Sequence, residues 1–377
     1  MKRFLLFINI AICITLFLFG LWPFSFLPRN QVSWLADKNG IHFQGKGIVY
    51  SADLSNSSSK DLFDTDAISI EILLQPEPES IQHTRHRHYA HILTFYHNKN
   101  SDLTIGQWKS NLNIRSGPAD PTSHKLYKEI GLGNALATDK QRLITITSDR
   151  KGTSIYLDDK LARSYPNHSL LKNNKLSGKL VLGNSPAGDN PWTGKIFGLA
   201  IYGQSLTEGQ VYSHYTSLSS YGKPVFSLNE QPTLLYLFDE QGGTMIHNNT
   251  GHLHHLIIPT TLKVPKKIIL GLPSRDYWLS RSFLKDSLIN ILGFVPLGFL
   301  LSVYLSQMMH LPKRRIYLTA ILLGGGISLA IELLQIYIPA RSSSLPDLIT
   351  NIIGTAMGVI LFHALIIINK EFRVIHF

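Results

Sequence analysis

Four apolar runs, Phe4 to Trp22, Leu288 to Met308, Ile316 to Ile338 and Leu348 to Ile368, constrain this chain more than any other feature. Each has the roughly 20 residues that a helix needs to cross a hydrocarbon core about 30 Å thick. With one run at the start, three at the end and a long polar stretch between, the chain cannot bury its apolar residues in one water-soluble globule. It divides into a membrane bundle and an excursion outside the bilayer.

Lys2 and Arg3 precede the first run, Lys313, Arg314 and Arg315 separate the second from the third, and Lys370 and Arg373 follow the fourth. Basic residues collect on the cytoplasmic side, so both termini are expected there, with residues 24 to 285 on the other side of an inner (plasma) membrane. The first run is long for a signal peptide, and the Leu-Trp-Pro-Phe-Ser-Phe that follows has no small-x-small cleavage pattern, so it is read as an uncleaved anchor. The single cysteine, Cys13, lies within it. The exported part therefore folds without a disulfide, which a domain of its size can do by burying apolar surface. The formal net charge is +11, and the excess extends to the exported part, which suits anionic envelope polymers or lipid head groups as well as plain solubility. No basic run is interleaved with aromatics, so nucleic acid is not an expected partner.

From Gly47 to Thr260 the chain alternates short β-branched and aromatic segments with turn residues. Ala67 to Gln75, Gln141 to Thr147, Thr153 to Leu157 and Lys195 to Tyr202 read as strands. Asp149 to Gly152 and Asp158 to Lys160 read as turns. Regular spacing of this kind implies a sandwich of two antiparallel sheets, with one short helix at Thr207 to Tyr215, capped by Thr207.

Three groups of residues invite chemistry. Asp64, Asp66 and Glu71 form the densest acidic stretch, but Glu71 falls on the opposite strand face from the other two, which is not the paired-carboxylate arrangement of a glycosidase. These acids are expected to face solvent at a strand entrance, and no catalytic residue is assigned. His83, His86, His88 and His91 crowd one loop, yet Arg85 and Arg87 among them would repel a cation, and the spacing matches no standard zinc pattern. A solvated basic loop accounts for them better, and no metal or cofactor is expected. Asp189, Asn190 and Trp192 are ligand-binding candidates, because an exposed indole beside an acid and an amide can stack on a sugar ring and hydrogen-bond its hydroxyls. A Trp that caps the sandwich core is the competing reading.

The succession Ser69 to Gln75, Ile144 to Tyr165, Gly178 to Asn184 and Trp192 to Tyr202 resembles the laminin-G-like, concanavalin A-like jelly-roll sandwich, a superfamily of sugar-binding modules and glucanases. Near the C-terminus, Asp286-Ser-Leu-Ile-Asn290-Ile-Leu-Gly293 and Asp347-Leu-Ile-Thr-Asn351-Ile-Ile-Gly354 repeat one pattern, with an acid and an amide four apart on one helix face. Between them come Glu332-Leu-Leu-Gln335 and Pro339-Ala-Arg341-Ser. Together with Phe294-Val-Pro-Leu-Gly-Phe299, Gly354 and Gly358, these segments resemble the VanZ-like family over residues 284 to 368. That family takes its name from a member linked to resistance against the glycopeptide antibiotic teicoplanin.

The expected whole is multi-domain, an all-β jelly-roll sandwich outside the membrane and an all-α four-span transmembrane bundle. The first helix occupies 1–23, the sandwich 24–265, a linker 266–285, the VanZ-like domain 286–370 and a cytoplasmic tail 371–377. The assumed topology brings Asp286, Asn290, Glu332, Gln335, Asp347 and Asn351 to the outer leaflet, with Arg341 in the loop above. Ionisable groups are costly in hydrocarbon, which favours one shared cluster. Such a cluster could equally tie helices together. The expected partners are the lipid bilayer and an envelope glycan or glycolipid head group. The function expected is binding or protection, possible glycopeptide-antibiotic tolerance included, with an enzyme or transporter of lipid-linked head groups as the alternative.

Overall fold

The computed structural model describes residues 2–52, 54, 65–77, 89–97, 100–117, 127–171, 176, 178–221, 230–267, 269–272, 278, 281–308, 312–338, 341 and 343–375. The chain forms two compact units, one from residues 28–266 and the other from 1–27 with 267–377.

The 28–266 unit is a sandwich of two antiparallel sheets. The first runs β1 (Val32–Trp34), β2 (Ile41–Gln44), β13 (Thr193–Tyr202), β4 (Ile68–Pro76), β9 (Arg142–Asp149), β10 (Gly152–Leu157) and β11 (Lys160–Pro166), with β14 (Leu234–Tyr236) also paired to β13. The second runs β15 (Met245–Ile246), β16 (Leu256–Ile257), β3 (Val49–Ser51), β12 (Lys179–Leu182), β5 (Ala90–His97), β6 (Asn100–Trp108), β7 (Asn111–Ser116) and β8 (Lys128–Leu132). Both turns expected from the sequence close hairpins: Asp149 pairs with Gly152, and Leu157 with Lys160. Asp149 Oδ1 accepts hydrogen bonds from the backbone N–H of Lys151 and of Gly152, which fixes the first of them.

Between the sheets, Ile70, Ile72 and Leu74 of β4 meet Leu93 and Phe95 of β5 and Leu180 and Leu182 of β12 in one core. The other face of β4 is covered as well. Helix α2 (Glu208–Tyr221) lays Val211, Tyr215 and Leu218 on Leu73, Leu143, Phe197 and Tyr202, and each large apolar side chain buried this way contributes roughly 1.5 to 3 kcal/mol. Because both faces are covered, the alternation Ile68-Ser-Ile-Glu-Ile72 does not mark a solvent face: Ser69 and Glu71 are fully buried on the α2 side and hydrogen-bonded there. The helix runs further than Thr207 to Tyr215. Its start is a capping box, in which Thr207 Oγ1 accepts the Gln210 N–H at 3.4 Å and Gln210 Oε1 accepts the Thr207 N–H at 2.8 Å.

The two ends of this unit are joined. Asn30 N–H donates to the Thr260 carbonyl at 3.1 Å and Leu262 N–H to the Pro28 carbonyl at 2.7 Å, pairing Arg29 with Thr261 in an antiparallel bridge.

The second unit holds four helices long and apolar enough to cross a membrane: α1 (Lys2–Leu21), α3 (Arg281–Met308), α4 (Lys313–Gln335) and α5 (Leu345–Ile375). Phe294, Leu297, Leu301, Ile331 and Val359 are buried between them, while Phe7, Phe19, Leu288, Leu322 and Ile360 lie exposed on the rim, where lipid would cover them. The α3–α5 contact is close because glycines form it. A Cβ at Gly354 would overlap the Ile291 carbonyl, one at Gly358 the Val295 carbonyl and one at Gly298 the Thr355 carbonyl.

Candidate functional site

Asp286 and Asn290 sit in the early turns of α3, Asp347 in the first turn of α5 and Glu332 in the last turn of α4. The bundle brings them to one end. Ser344 N–H donates to Glu332 Oε2 at 2.7 Å, and Ser343 lies beside that carboxylate. Asn290 lies beside Asp347, which is within electrostatic reach of Asp286, Glu332 and Arg341. A roof closes this end: Gly271 N–H donates to the Ser343 carbonyl at 2.9 Å and Leu345 N–H to the Gly271 carbonyl at 3.1 Å, laying Leu270 and Gly271 along the loop.

The other three residues of the expected cluster point elsewhere. Gln335 Nε2 donates to the Gly20 carbonyl at 2.9 Å. Arg341 donates from Nε to the Trp22 carbonyl at 2.8 Å and from Nη2 to the Phe19 carbonyl at 3.2 Å. Its guanidinium therefore caps the carbonyl end of α1, where a cation is favoured, instead of sitting against Glu332 or Asp347. Asn351 lies one turn further along α5 and donates to Ser328 Oγ at 2.9 Å, tying α5 to α4. The expected group of seven thus resolves into a carboxylate end, a cap on α1 and an interhelical tie. Among the described residues no Lys or Arg comes within 4.0 Å of the Glu332 or Asp347 carboxylate, and no three metal-ligating groups are close enough together to share an ion.

The sandwich corrects two expectations. Trp192 is fully buried, packed 6.1 Å from Phe43 between ring centroids, and its indole N–H donates to Gln107 Oε1 at 2.7 Å. It is a core residue and cannot stack on a sugar. Asp189 is exposed, but its carboxylate is engaged by Ser185 Oγ and, at 2.9 Å, by Asn190 Nδ2. Asn190 N–H donates to Asn184 Oδ1 at 3.2 Å, so these two residues shape the loop that delivers Trp192 to the core.

The second correction is Glu71, which does not face solvent. It lies fully buried beneath α2, accepting from Thr145 Oγ1 at 3.1 Å and from Tyr202 OH at 2.9 Å, with His214 Nδ1 also 2.9 Å away. His214 Nε2 is 3.4 Å from Glu230. Burial works against the charged imidazole, but the hydrogen bonds and charges of Glu71 and Glu230 overcome it and hold His214 above its ordinary pKa. Asp66 stays exposed and pairs with Arg150, while Asp64 lies outside the described residues.

Of the four histidines, His83, His86 and His88 lie outside the described residues. His91 belongs to β5, its Nδ1 2.9 Å from Thr94 Oγ1, and burial lowers its pKa to about 4 despite the nearby Asp189 charge.

Fold and sequence define a multi-pass membrane protein that carries a concanavalin A-like sandwich. Residues 233–368 match the VanZ/LLP1 family, and residues 52–212 match the concanavalin A-like lectin/glucanases superfamily. The first match begins at β14, well before the 284–368 stretch in which the motifs lie, and so takes in β14 to β16. No curated protein matches the chain. Solved structures that resemble it include the receptor binding domain of botulinum neurotoxin C/D mosaic serotype, at 16% identity and a TM-score of 0.40 over 50% of this chain and 45% of that one. A candidate carbohydrate binding protein from Bacteroides ovatus matches at 13% identity and a TM-score of 0.39, over 62% of this chain and 60% of that one. The chain spans less than half the length of the neurotoxin domain, and similarity at this level says nothing of a ligand.

Proposed function

We propose that this chain is an envelope protein that binds a glycan-bearing ligand through its sandwich and holds a polar head group at the carboxylate end of its bundle. The observation that carries the second half is the meeting of Asp286, Glu332 and Asp347 from three helices, with the Arg341 guanidinium turned to the carbonyls of α1. Carboxylates at a helix end in a membrane are costly to leave without a function or a partner. Glu332 accepts the Ser344 backbone N–H, which leaves its carboxylate lone pairs for the hydroxyls or ammonium of a head group. The lectin/glucanase superfamily matched by residues 52–212 supports a sugar ligand for the sandwich. The VanZ/LLP1 match supports a role in tolerance of glycopeptide antibiotics. In this reading the cell is bounded by an inner membrane, both termini are cytoplasmic, and the sandwich and carboxylate end face outward.

The test is complementation of a deletion strain, scored by glycopeptide susceptibility, with Glu332→Gln and Asp347→Asn. Each should lose the protective phenotype while the purified protein melts within a few degrees of the wild type. Full protection by both variants refutes the head-group site.

A further inference from the structure

Beyond the last turn of α1 the chain keeps large apolar side chains in the open. Trp22, Phe24, Phe26 and Leu27 are each at least 40% exposed, and so is Tyr337, just past the end of α4. The segment is nonetheless held in place. Phe24 N–H donates to the Leu21 carbonyl at 2.7 Å and Leu27 N–H to the Tyr337 carbonyl at 3.2 Å, while Arg341 grips the Phe19 and Trp22 carbonyls. The Trp22 and Phe24 rings meet edge to face, 5.9 Å between centroids. Pinned at both ends, residues 22–27 present these side chains outward in a fixed arrangement.

Two cations stand beside this surface. Lys267 Nζ lies 4.6 Å from the Tyr337 ring centroid, and among the described residues it forms no ion pair with a carboxylate. Arg341 is exposed as well. Water is a poor neighbour for so many apolar side chains gathered in one place. They continue the lipid-facing rim of α1, where Leu18 is 51% and Phe19 75% exposed, and aromatic rings past the end of a span belong at the level of the lipid head groups. Lysine and arginine at that level meet phosphates.

We propose that Trp22, Phe24, Phe26, Leu27 and Tyr337 lie in the head-group layer of the bilayer, and that Lys267, with Arg341, gives this surface a preference for acidic phospholipids. The rings set the depth by wedging between head groups, and the cations choose the lipid. A zwitterionic lipid offers the same phosphate but brings a cation of its own, which Lys267 repels, whereas an acidic lipid offers the phosphate alone. This surface requires no ligand at the carboxylate end and stands independently of that reading.

Full-length protein is placed in nanodiscs of phosphatidylglycerol and phosphatidylcholine in equal parts, with bromines near the head-group end of the acyl chains of one lipid or of the other. The emission that Trp22 contributes is the difference between the wild type and Trp22→Phe. Both brominated lipids should quench it, brominated phosphatidylglycerol the more strongly. Lys267→Gln should at least halve the gap between the two lipids at unchanged melting temperature, and Lys267→Arg should keep it. Equal quenching by both lipids in the wild type overturns the acidic preference, and an undiminished gap in Lys267→Gln overturns its assignment to that lysine. Quenching by neither lipid overturns the bilayer contact and leaves these rings to a protein partner.

Discussion

Glu71 stands in the middle of an apolar strand, and its partners come from β9, β13 and α2, as far away as 143 residues in the chain. Its position in β4 is plain from the sequence, but its burial is not, because the second cover over that strand face is a helix that follows much later. Removing one partner of a buried charged pair leaves the other uncompensated, so Glu71→Ala should destabilise the sandwich by about 3 kcal/mol or more, read from denaturant unfolding. His214 and His91 then give opposite pH dependences. His214 has its folded pKa raised above the ordinary 6.5, so its contribution is complete below pH 6.5 and is lost as pH rises through the folded value. The depressed His91 contributes above pH 6.5, a contribution lost as pH falls toward about 4. In a series of melting curves against pH, His91→Gln should flatten the acid side and His214→Asn the alkaline side. The tryptophans teach the same lesson in simpler form. Trp192 and Trp108 are equally conspicuous in sequence, but strand alternation puts Trp108 outside, and the inward Gln107 beside it is the partner that buries Trp192.

Helix-level features were easier to read, because period and length in the four spans are set by local sequence. Small residues such as Gly354 and Gly358 permit close helix packing, and the structure pairs them with Ile291 and Val295, partners that no local pattern names. Gly354→Leu should force α3 and α5 apart, since the obstacle is backbone and cannot rotate away. A loss of 1 to 3 kcal/mol or more is expected, seen as a lower melting temperature in detergent. Arg341 was legible as a charge near the cluster but not as a cap, because its acceptors are backbone carbonyls of α1 that no sequence pattern advertises. Arg341→Ala should cost the bundle about 1.5 to 3 kcal/mol. Neutralising Glu332 in addition should restore little of it, the result that separates a helix cap from an ion pair.

For the molecule as a whole, the basic residues predict the side on which each loop lies. A cysteine placed at Leu253, which is highly exposed in the sandwich, should react with an impermeant maleimide in intact cells, while one at Arg314 should react only after lysis; the reverse would invert the proposed orientation. The bridge between Arg29 and Thr261 bears on how the bundle assembles. While the sandwich is unfolded, α1 is tied to α3 by a floppy loop of about 260 residues, whereas the clasped sandwich shortens the effective loop to about 30, which favours closure by about 2 kcal/mol. The sandwich thereby acts as a buckle on a strap. Opening it, for instance with Asn30→Ala at the buried side chain that ties this end to Ile48, should raise hydrogen exchange in α1, so that a change confined to one fold is transmitted along the chain as lost tether length.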